Sequence, residues 1–350
     1  MAEDKQEKKT DSGSSSGKLK KILLVLLLIF FSLALLVFVC FSVLIWRFGS
    51  LSGLGGGRVF REGLGGFQNS YSGEYLTILV LGLDAREGDS SLLTDTILLA
   101  TVNVNSGDYL LFSLPRDLWL EDLKTKVNAL YYYGKKMDPD DGSKLVEQKL
   151  EEILNWPIDY VALFKMEQIK DLVDKMGGVE VEVERDFTDQ HFPLDDGSGE
   201  VITVSFKKGK QDLGGEQALQ FMRSRQSEDP VEGTDEARQK RQKQVIVALQ
   251  NKLLSQKSLW LDLPLMASLF QFATTEIETD PQLDLTTIVS FWPAGKSVIL
   301  GGRAFELELD WQEENSVLES KREVQTNSWI LTPKNNDWQL LEDYFKKALP

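Results

Sequence analysis

The sequence predicts an α/β (α+β) protein, a mixed central β-sheet flanked by helices, carried behind one N-terminal transmembrane helix. Three observations lead there. Residues 22–46 form an uncharged run made almost wholly of Leu, Ile, Val and Phe. Three further apolar runs, Tyr75–Leu81, Thr96–Val104 and Tyr109–Leu114, suit strands buried on both faces. Beyond them, segments with apolar residues three and four apart alternate with short strand-like runs, the pattern of helices laid on a sheet.

Taken in order, residues 1–21 are polar, lack aromatic side chains and read as a disordered tail. The 25 residues from Ile22 to Trp46 would reach roughly 37 Å as a helix, enough to span a bilayer with some tilt. That length, and the lack of an Ala-x-Ala pattern after it, favour an anchor over a cleaved signal peptide. Lys5, Lys8, Lys9, Lys18, Lys20 and Lys21 precede the span, which sets a single-pass cell-membrane protein with a cytoplasmic N-terminus and an extracytoplasmic body. The one cysteine, Cys40, lies inside the span, so the exported body carries no disulfide. Residues 47–74, rich in glycine, read as a flexible stalk; a phosphate-binding P-loop is excluded because its Lys-Ser/Thr is missing and no strand precedes the glycines.

The body runs from 75 to 280, with 281–350 as a C-terminal extension to which the sequence assigns no role. Asn105-Ser106-Gly107-Asp108 suits the hairpin turn between the second and third strands. Ser143–Leu154 is expected to be a helix capped by Ser143, Ile158–Phe164 a strand, Met166–Met176 a helix closed by Gly177-Gly178, and Val179–Val183 a half-exposed strand. Gln211–Arg223 and Ala237–Leu254 complete the helices of the body. Ser297–Leu309 reads as strands and Asp337–Leu349 as an amphipathic helix.

Charge narrows the function. The chain carries −15, and its first 21 residues hold six lysines against four acids, leaving −17 for the rest. Such a body does not bind nucleic acid through a general basic surface. Against that background Arg86, Arg116, Arg223, Arg225, Arg238 and Arg241 gather at strand ends and along one helix. The guanidinium fork matches phosphate oxygens, so the cluster points to a polyanionic ligand, although each arginine alone reads equally as a solvated or salt-bridged residue. Pro115 ends the third strand and presents Arg116 and Asp117 at a fixed edge. Asp84 follows the first strand and Asp95 opens the second. If those strands are antiparallel neighbours, both carboxylates lie at one edge, where Mg²⁺ with bound phosphate is one reading and a turn residue plus a strand cap the other.

These residues fall into motifs: Gly82-x-Asp84-x-Arg86, Thr94-Asp95-Thr96, Ser113-x-Pro115-Arg116-Asp117, Lys126-Val127-Asn128-Ala129, Asp174-x-x-Gly177-Gly178-Val179-Glu180-Val181, Gly215-x-Gln217-Ala218-Leu219, Arg223-Ser224-Arg225 and Asp235-x-x-Arg238-x-x-Arg241-Gln242. In this order, over about Leu76 to Leu254, the sequence resembles the LytR-CpsA-Psr (LCP) proteins, membrane-anchored phosphotransferases of bacterial envelopes. The resemblance implies transfer of a glycan phosphate from a polyprenyl-pyrophosphate-linked glycopolymer to a cell-wall hydroxyl, usually on peptidoglycan, with release of polyprenyl phosphate. It implies Asp84 and Asp95 as ligands of Mg²⁺, or of Mn²⁺ in the same role. Arg86, Arg116, Arg223, Arg225, Arg238, Arg241 and Gln242 would hold the pyrophosphate, with Arg116, Asp117, Arg86 and Arg238 closest to the chemistry, and the prenyl tail would enter an apolar tunnel between sheet and helices. The chain departs from the family pattern at Leu93, where members often carry arginine, and at Ala237, where they carry glycine.

Two other readings share the site: a hydrolase of polyprenyl pyrophosphates, and a non-catalytic envelope regulator that binds polyprenyl lipids. His191, the single histidine, builds neither a zinc site nor a Ser-His-Asp set and reads as a loop residue. Tyr131-Tyr132-Tyr133 reads either as a sugar platform or as packing against a helix.

Overall fold

The computed structural model describes residues 39, 42–68, 71–83, 92–194, 198–255, 262–275, 277–279, 285–291, 294–295, 297–298, 302–309, 316–323 and 327–350. Most of the predicted span 22–46 lies outside them, and among the described residues no helix is long and apolar enough to cross a membrane. The chain divides into two units, Met1–Phe60 and Arg61–Pro350. In the first, residues 42–51 are helical. Gly56–Gln68 is helix α1, where the glycine content had suggested a flexible stalk. The glycine there serves close packing: a Cβ on Gly66 would stand 2.5 Å from the Thr286 carbonyl oxygen and 2.6 Å from the Val289 side chain.

Strands β1 (Tyr75–Leu83), β2 (Thr94–Asn103) and β3 (Tyr109–Ser113) form an antiparallel meander. Their inward leucines Leu79, Leu81, Leu99 and Leu110 are fully buried, as apolar runs in a two-faced sheet require. The register breaks between Gly82 and Leu83, and a Cβ on Gly82 would lie 2.9 Å from both the Phe164 ring and the Thr96 side chain. This irregularity re-aims the chain as it leaves β1.

The short hairpin β4 (Trp119–Leu120) and β5 (Thr125–Lys126) follows, then helices α2 (Leu130–Met137) and α3 (Ser143–Leu154). The expected Ser143 cap is supplied instead by Asp141, whose Oδ1 accepts from the N–H groups of Ser143 (3.2 Å) and Lys144 (3.3 Å). Strand β6 (Tyr160–Lys165) runs parallel to β1 and feeds α4 (Met166–Lys175). Next come β7 (Val179–Val183), β8 (Phe187–Pro193), β9 (Val201–Phe206) and β10 (Gly209–Leu213), with β8 paired to β9 and β7 to β10. Residues Gln211–Leu213, expected to open a helix, belong to β10 because alternating β7 needs a partner: Gln211 lies opposite Val181 and Leu213 opposite Val179. Helix α5 (Gly215–Arg223) begins after them, and α6 (Asp235–Ser255) and α7 (Leu263–Thr275) complete this part. His191 sits exposed in β8, not in a loop.

The segment after 280 does not hang off the body. Short β11 (Glu278–Thr279) precedes α8 (Leu285–Ser290), and β12 (Ala304–Glu308) adds to β3 in parallel, which completes a six-stranded mixed sheet ordered β11-β6-β1-β2-β3-β12. A hairpin of β13 (Leu318–Arg322) and β14 (Trp329–Pro333) leads to α9 (Trp338–Ala348), capped by Asp337 through a 3.1 Å bond from the Gln339 N–H. Leu341 and Phe345 of α9 are buried in the core that β1–β3, β6 and α3 share. A second core joins α4, α5 and α6 to β7–β10.

Phe345 touches Phe112 and Trp156, with ring centroids 5.2 and 5.7 Å apart. Phe345→Ala should therefore destabilise the body by about 3–5 kcal/mol. Urea unfolding checks this, and a loss under about 1 kcal/mol would separate residues 338–348 from the core.

Candidate functional site

Antiparallel pairing of β1 with β2 sets Leu83 opposite Thr94, so the chain leaves β1 and enters β2 at one sheet edge. Asp84 and Arg86 lie outside the described residues. Asp95, second in β2, is met from two directions. After β3, Leu114 still donates to the Ile97 carbonyl (2.9 Å); Pro115 then ends the ladder, and Arg116 reaches back so that its NH1 lies 2.8 Å from Asp95 Oδ1. From the first turn of α6, Arg238 places NH2 3.5 Å from Asp95 Oδ2. The side chains of Asp95 and Arg238 are each 9% exposed and that of Arg116 16%. One carboxylate thus faces two guanidinium groups in a nearly dry edge, which leaves the cluster positive.

The Lys126–Ala129 motif clips this edge together. Asn128 donates its N–H to the Arg116 carbonyl (3.3 Å) and accepts at its own carbonyl from Thr94 Oγ1 (3.2 Å). Asp117 is held otherwise: its Oδ1 accepts from Lys126 Nζ at 2.5 Å, and its Oδ2 lies 3.7 Å from Arg116 Nε. Leu93, at the position of the family arginine, is 38% exposed beside Asp95.

The Arg223-Ser224-Arg225 motif straddles the end of α5. Arg223 is buried and pairs with Glu167 at the start of α4, whereas Arg225, past the helix cap, is exposed. Arg241 does not join the phosphate-facing set that the sequence predicted. Its Nε donates to the Phe221 carbonyl (2.9 Å), its NH1 to Glu232 Oε2 (2.6 Å) and its NH2 to the Ser224 carbonyl, while its Cζ lies 4.9 Å from the Phe187 ring centre. A guanidinium with its donors so committed supports the turn from within. Burial lowers the Arg241 guanidinium below its ordinary value, offset in part by Glu232, and it stays a cation at physiological pH. Gln242 is buried and its Nε2 has no hydrogen-bond partner among the described residues, an amide donor next to Arg241 and one helical turn from Arg238.

Sequence reasoning missed Asp189. Its Oδ2 accepts from Ser224 Oγ (2.8 Å) and from the N–H groups of Arg225 and Gln226 (3.1 Å each), and its Oδ1 from the His191 N–H (3.0 Å). Burial pushes the Asp189 carboxyl up, yet these four donors outweigh it and hold the group below its ordinary value. The signal was present: Asp189 stands two residues after Phe187, on the inward face of β8, where an acid must find donors.

The donor set also bears on a metal. Asp95 contacts one guanidinium at each oxygen, and a carboxylate offers about four lone-pair sites, so acceptor capacity remains. Among the described residues no group of three or more His, Cys, Asp or Glu comes together. One or two carboxylates completed by phosphate and water are what a Mg²⁺ ion takes at phosphate sites, so the residues present fit it.

The LytR_cpsA_psr family model matches residues 64–305. The chain belongs to the LytR-CpsA-Psr family. Among curated LCP relatives, the polyisoprenyl-teichoic acid–peptidoglycan teichoic acid transferase TagU of Bacillus subtilis (strain 168) is 32% identical over 180 residues, 50% of this chain and 51% of that protein. TagU of Bacillus cereus (strain ZK / E33L) is 32% identical over 217 residues, 61% of this chain and 64% of that protein. The chain thus spans between about half and just under two-thirds of the length of these relatives. Among solved structures, B. subtilis TagV superposes with a TM-score of 0.56 at 22% identity, covering 79% of this chain and 97% of that one. TagT bound to LI-WTA gives 0.53 at 22% identity, covering 79% and 91%. At these identities the likeness is one of fold.

Asp189 carries a pH signature. A carboxyl whose folded value lies below its ordinary 3.8 stabilises the fold at neutral pH, and that contribution is lost as pH falls through the folded value. Asp189→Asn should lower thermal stability at pH 7 and flatten the loss of stability below pH 4 relative to the parent. Parallel acid limbs for the two proteins in a melting series would refute the assignment.

Proposed function

We propose that this chain transfers a glycan phosphate from a polyprenyl-pyrophosphate-linked glycopolymer, of the teichoic-acid type, to a cell-wall hydroxyl on peptidoglycan, and releases polyprenyl phosphate. The convergence of Arg116 and Arg238 on Asp95 at the sheet edge carries the reading. The names of the curated relatives point the same way.

Phosphoryl transfer asks the protein mainly for positioning and for stabilisation of shifting negative charge. The acceptor oxygen forms a new bond to the glycan-side phosphorus, and the bond from that phosphorus to the bridging oxygen breaks. The electron pair leaves with polyprenyl phosphate, and the hydroxyl proton passes to solvent or product phosphate. Arg116 and Arg238, fixed by Asp95, meet the charge that develops on the bridging and non-bridging oxygens; Asp117 sits against Arg116 Nε and orients its fork. Arg223, Arg225 and Gln242 grip the remaining oxygens, with Arg86 added from the segment outside the described residues. Mg²⁺, or Mn²⁺ in its place, held by Asp95 together with Asp84, would neutralise pyrophosphate oxygens. The body works outside the cell membrane, tethered by the 22–46 span, where donor and wall acceptor meet.

With lipid-linked glycan and wall oligomer supplied to the full-length protein, a covalent conjugate should form. Free glycan phosphate without conjugate would assign hydrolysis instead. Arg116→Lys keeps the charge but loses the fork, and should cut conjugate formation by about 10²–10³ with an unchanged melting temperature. Excess EDTA should abolish conjugation; an undiminished rate in EDTA would take the metal out of the mechanism.

A further inference from the structure

The segment Phe221–Gln226 is gripped from two sides by groups that bind no ligand in the reading above. On one side Asp189, 1% exposed, accepts from the Ser224 hydroxyl and from the main-chain N–H groups of Arg225 and Gln226. On the other, Arg241 donates to the carbonyls of Phe221 and Ser224. One group thus takes the turn's N–H donors and the other its carbonyls. The Arg241 donors also satisfy acceptors that the end of α5 leaves open. We propose that Asp189, working opposite Arg241, is a positioning residue that sets the direction in which Arg225 meets the phosphates of the donor.

Ser224 closes α5 with a 2.9 Å bond from its N–H to the Gln220 carbonyl, and the chain leaves it extended (φ −58°, ψ 129°). The two arginines therefore project from different backbone regimes, Arg223 as the last helical residue and Arg225 one past the cap. Nothing intrinsic to an Arg-Ser-Arg sequence fixes the angle between them. Asp189 accepts from the main-chain N–H of Arg225 itself, so the carboxylate acts on the Arg225 backbone without an intermediary. Arg241 is paired with Glu232 and also feels the Asp189 charge across the turn, while Asp189 is held by main-chain donors, which makes burying both tolerable.

The inference rests on the pyrophosphate site proposed above, and a mutant cycle on the full-length protein keeps the two separable. The probe is a fifteen-carbon polyprenyl pyrophosphate, with affinity read by calorimetry and folding by thermal melting. Arg225→Ala should weaken binding about tenfold or more, as loss of a charged hydrogen bond does. Asp189→Asn should weaken it comparably, yet add less than about twofold in the Arg225→Ala background, because it acts through the arginine already removed. A purely structural acid would give losses that multiply. Should Asp189→Asn unfold, Ser224→Ala, which deletes one donor to the carboxylate, takes its place under the same criterion. Multiplying losses, or wild-type affinity for Asp189→Asn, would overturn the positioning role and leave the site intact. Failure of the wild-type protein to bind the probe would remove the pyrophosphate site and this inference with it.

Discussion

The Asp95 carboxylate is what allows two arginines to share one dry sheet edge. Arg116 arrives from the end of β3 and Arg238 from the first turn of α6, and without an anion between them their charges would repel through a medium that screens poorly. Asp95 reaches that point because β1 and β2 are antiparallel and β2 starts where β1 ends. The meander, the Pro115 stop and the placement of α6 all act through this contact.

The same rule repeats around the site, and it reconciles a cationic pocket with an acidic chain. Arg223 is matched by Glu167 and Arg241 by Glu232, while Asp189 draws its donors mostly from the main chain. Each buried arginine described here faces an acid, Arg238 sharing Asp95 with Arg116, which lowers the cost of taking these charges out of water. What differs among them is the geometry left over. Arg241 has its donors committed to the protein, whereas Arg225 projects into solvent.

Much of this was legible in the sequence, for reasons that differ by element. Continuous apolar runs revealed β1, β2 and β3, because a strand buried on both faces has no polar face to hide it. Strict alternation revealed β7, but Gln211–Leu213 of its partner β10 were read as the start of a helix, since Gly209–Leu213 offers one inward leucine and no run of apolar residues. The Arg116, Arg223 and Arg238 motifs were visible by residue type. The supporting role of Arg241 was not, because a guanidinium that binds carbonyls and one that binds phosphate look alike in sequence. Asp189 was passed over for the histidine beside it, although its inward register already required buried donors.

The segment beyond the family match braces the loop that carries Arg116. The match ends at residue 305, yet Leu331 of β14 donates its N–H to the Asp117 carbonyl at 3.0 Å and forms a bridge with Leu118. Leu118 is fully buried and in turn accepts from the Val127 N–H at 2.8 Å, one residue before the Asn128 that clips Arg116 to Thr94. The loop that presents Arg116 is thus held in front by Asn128 and behind by β14, which is itself fixed to the main core through Leu331, α9 and Phe345. A loop held on one side only would let the guanidinium swing, and a displacement of about 1 Å at a charge-stabilising group is enough to lose much of its effect. The last residues of the chain therefore bear on the site although none of them enters it, by removing the freedom of the strand end from which Arg116 projects.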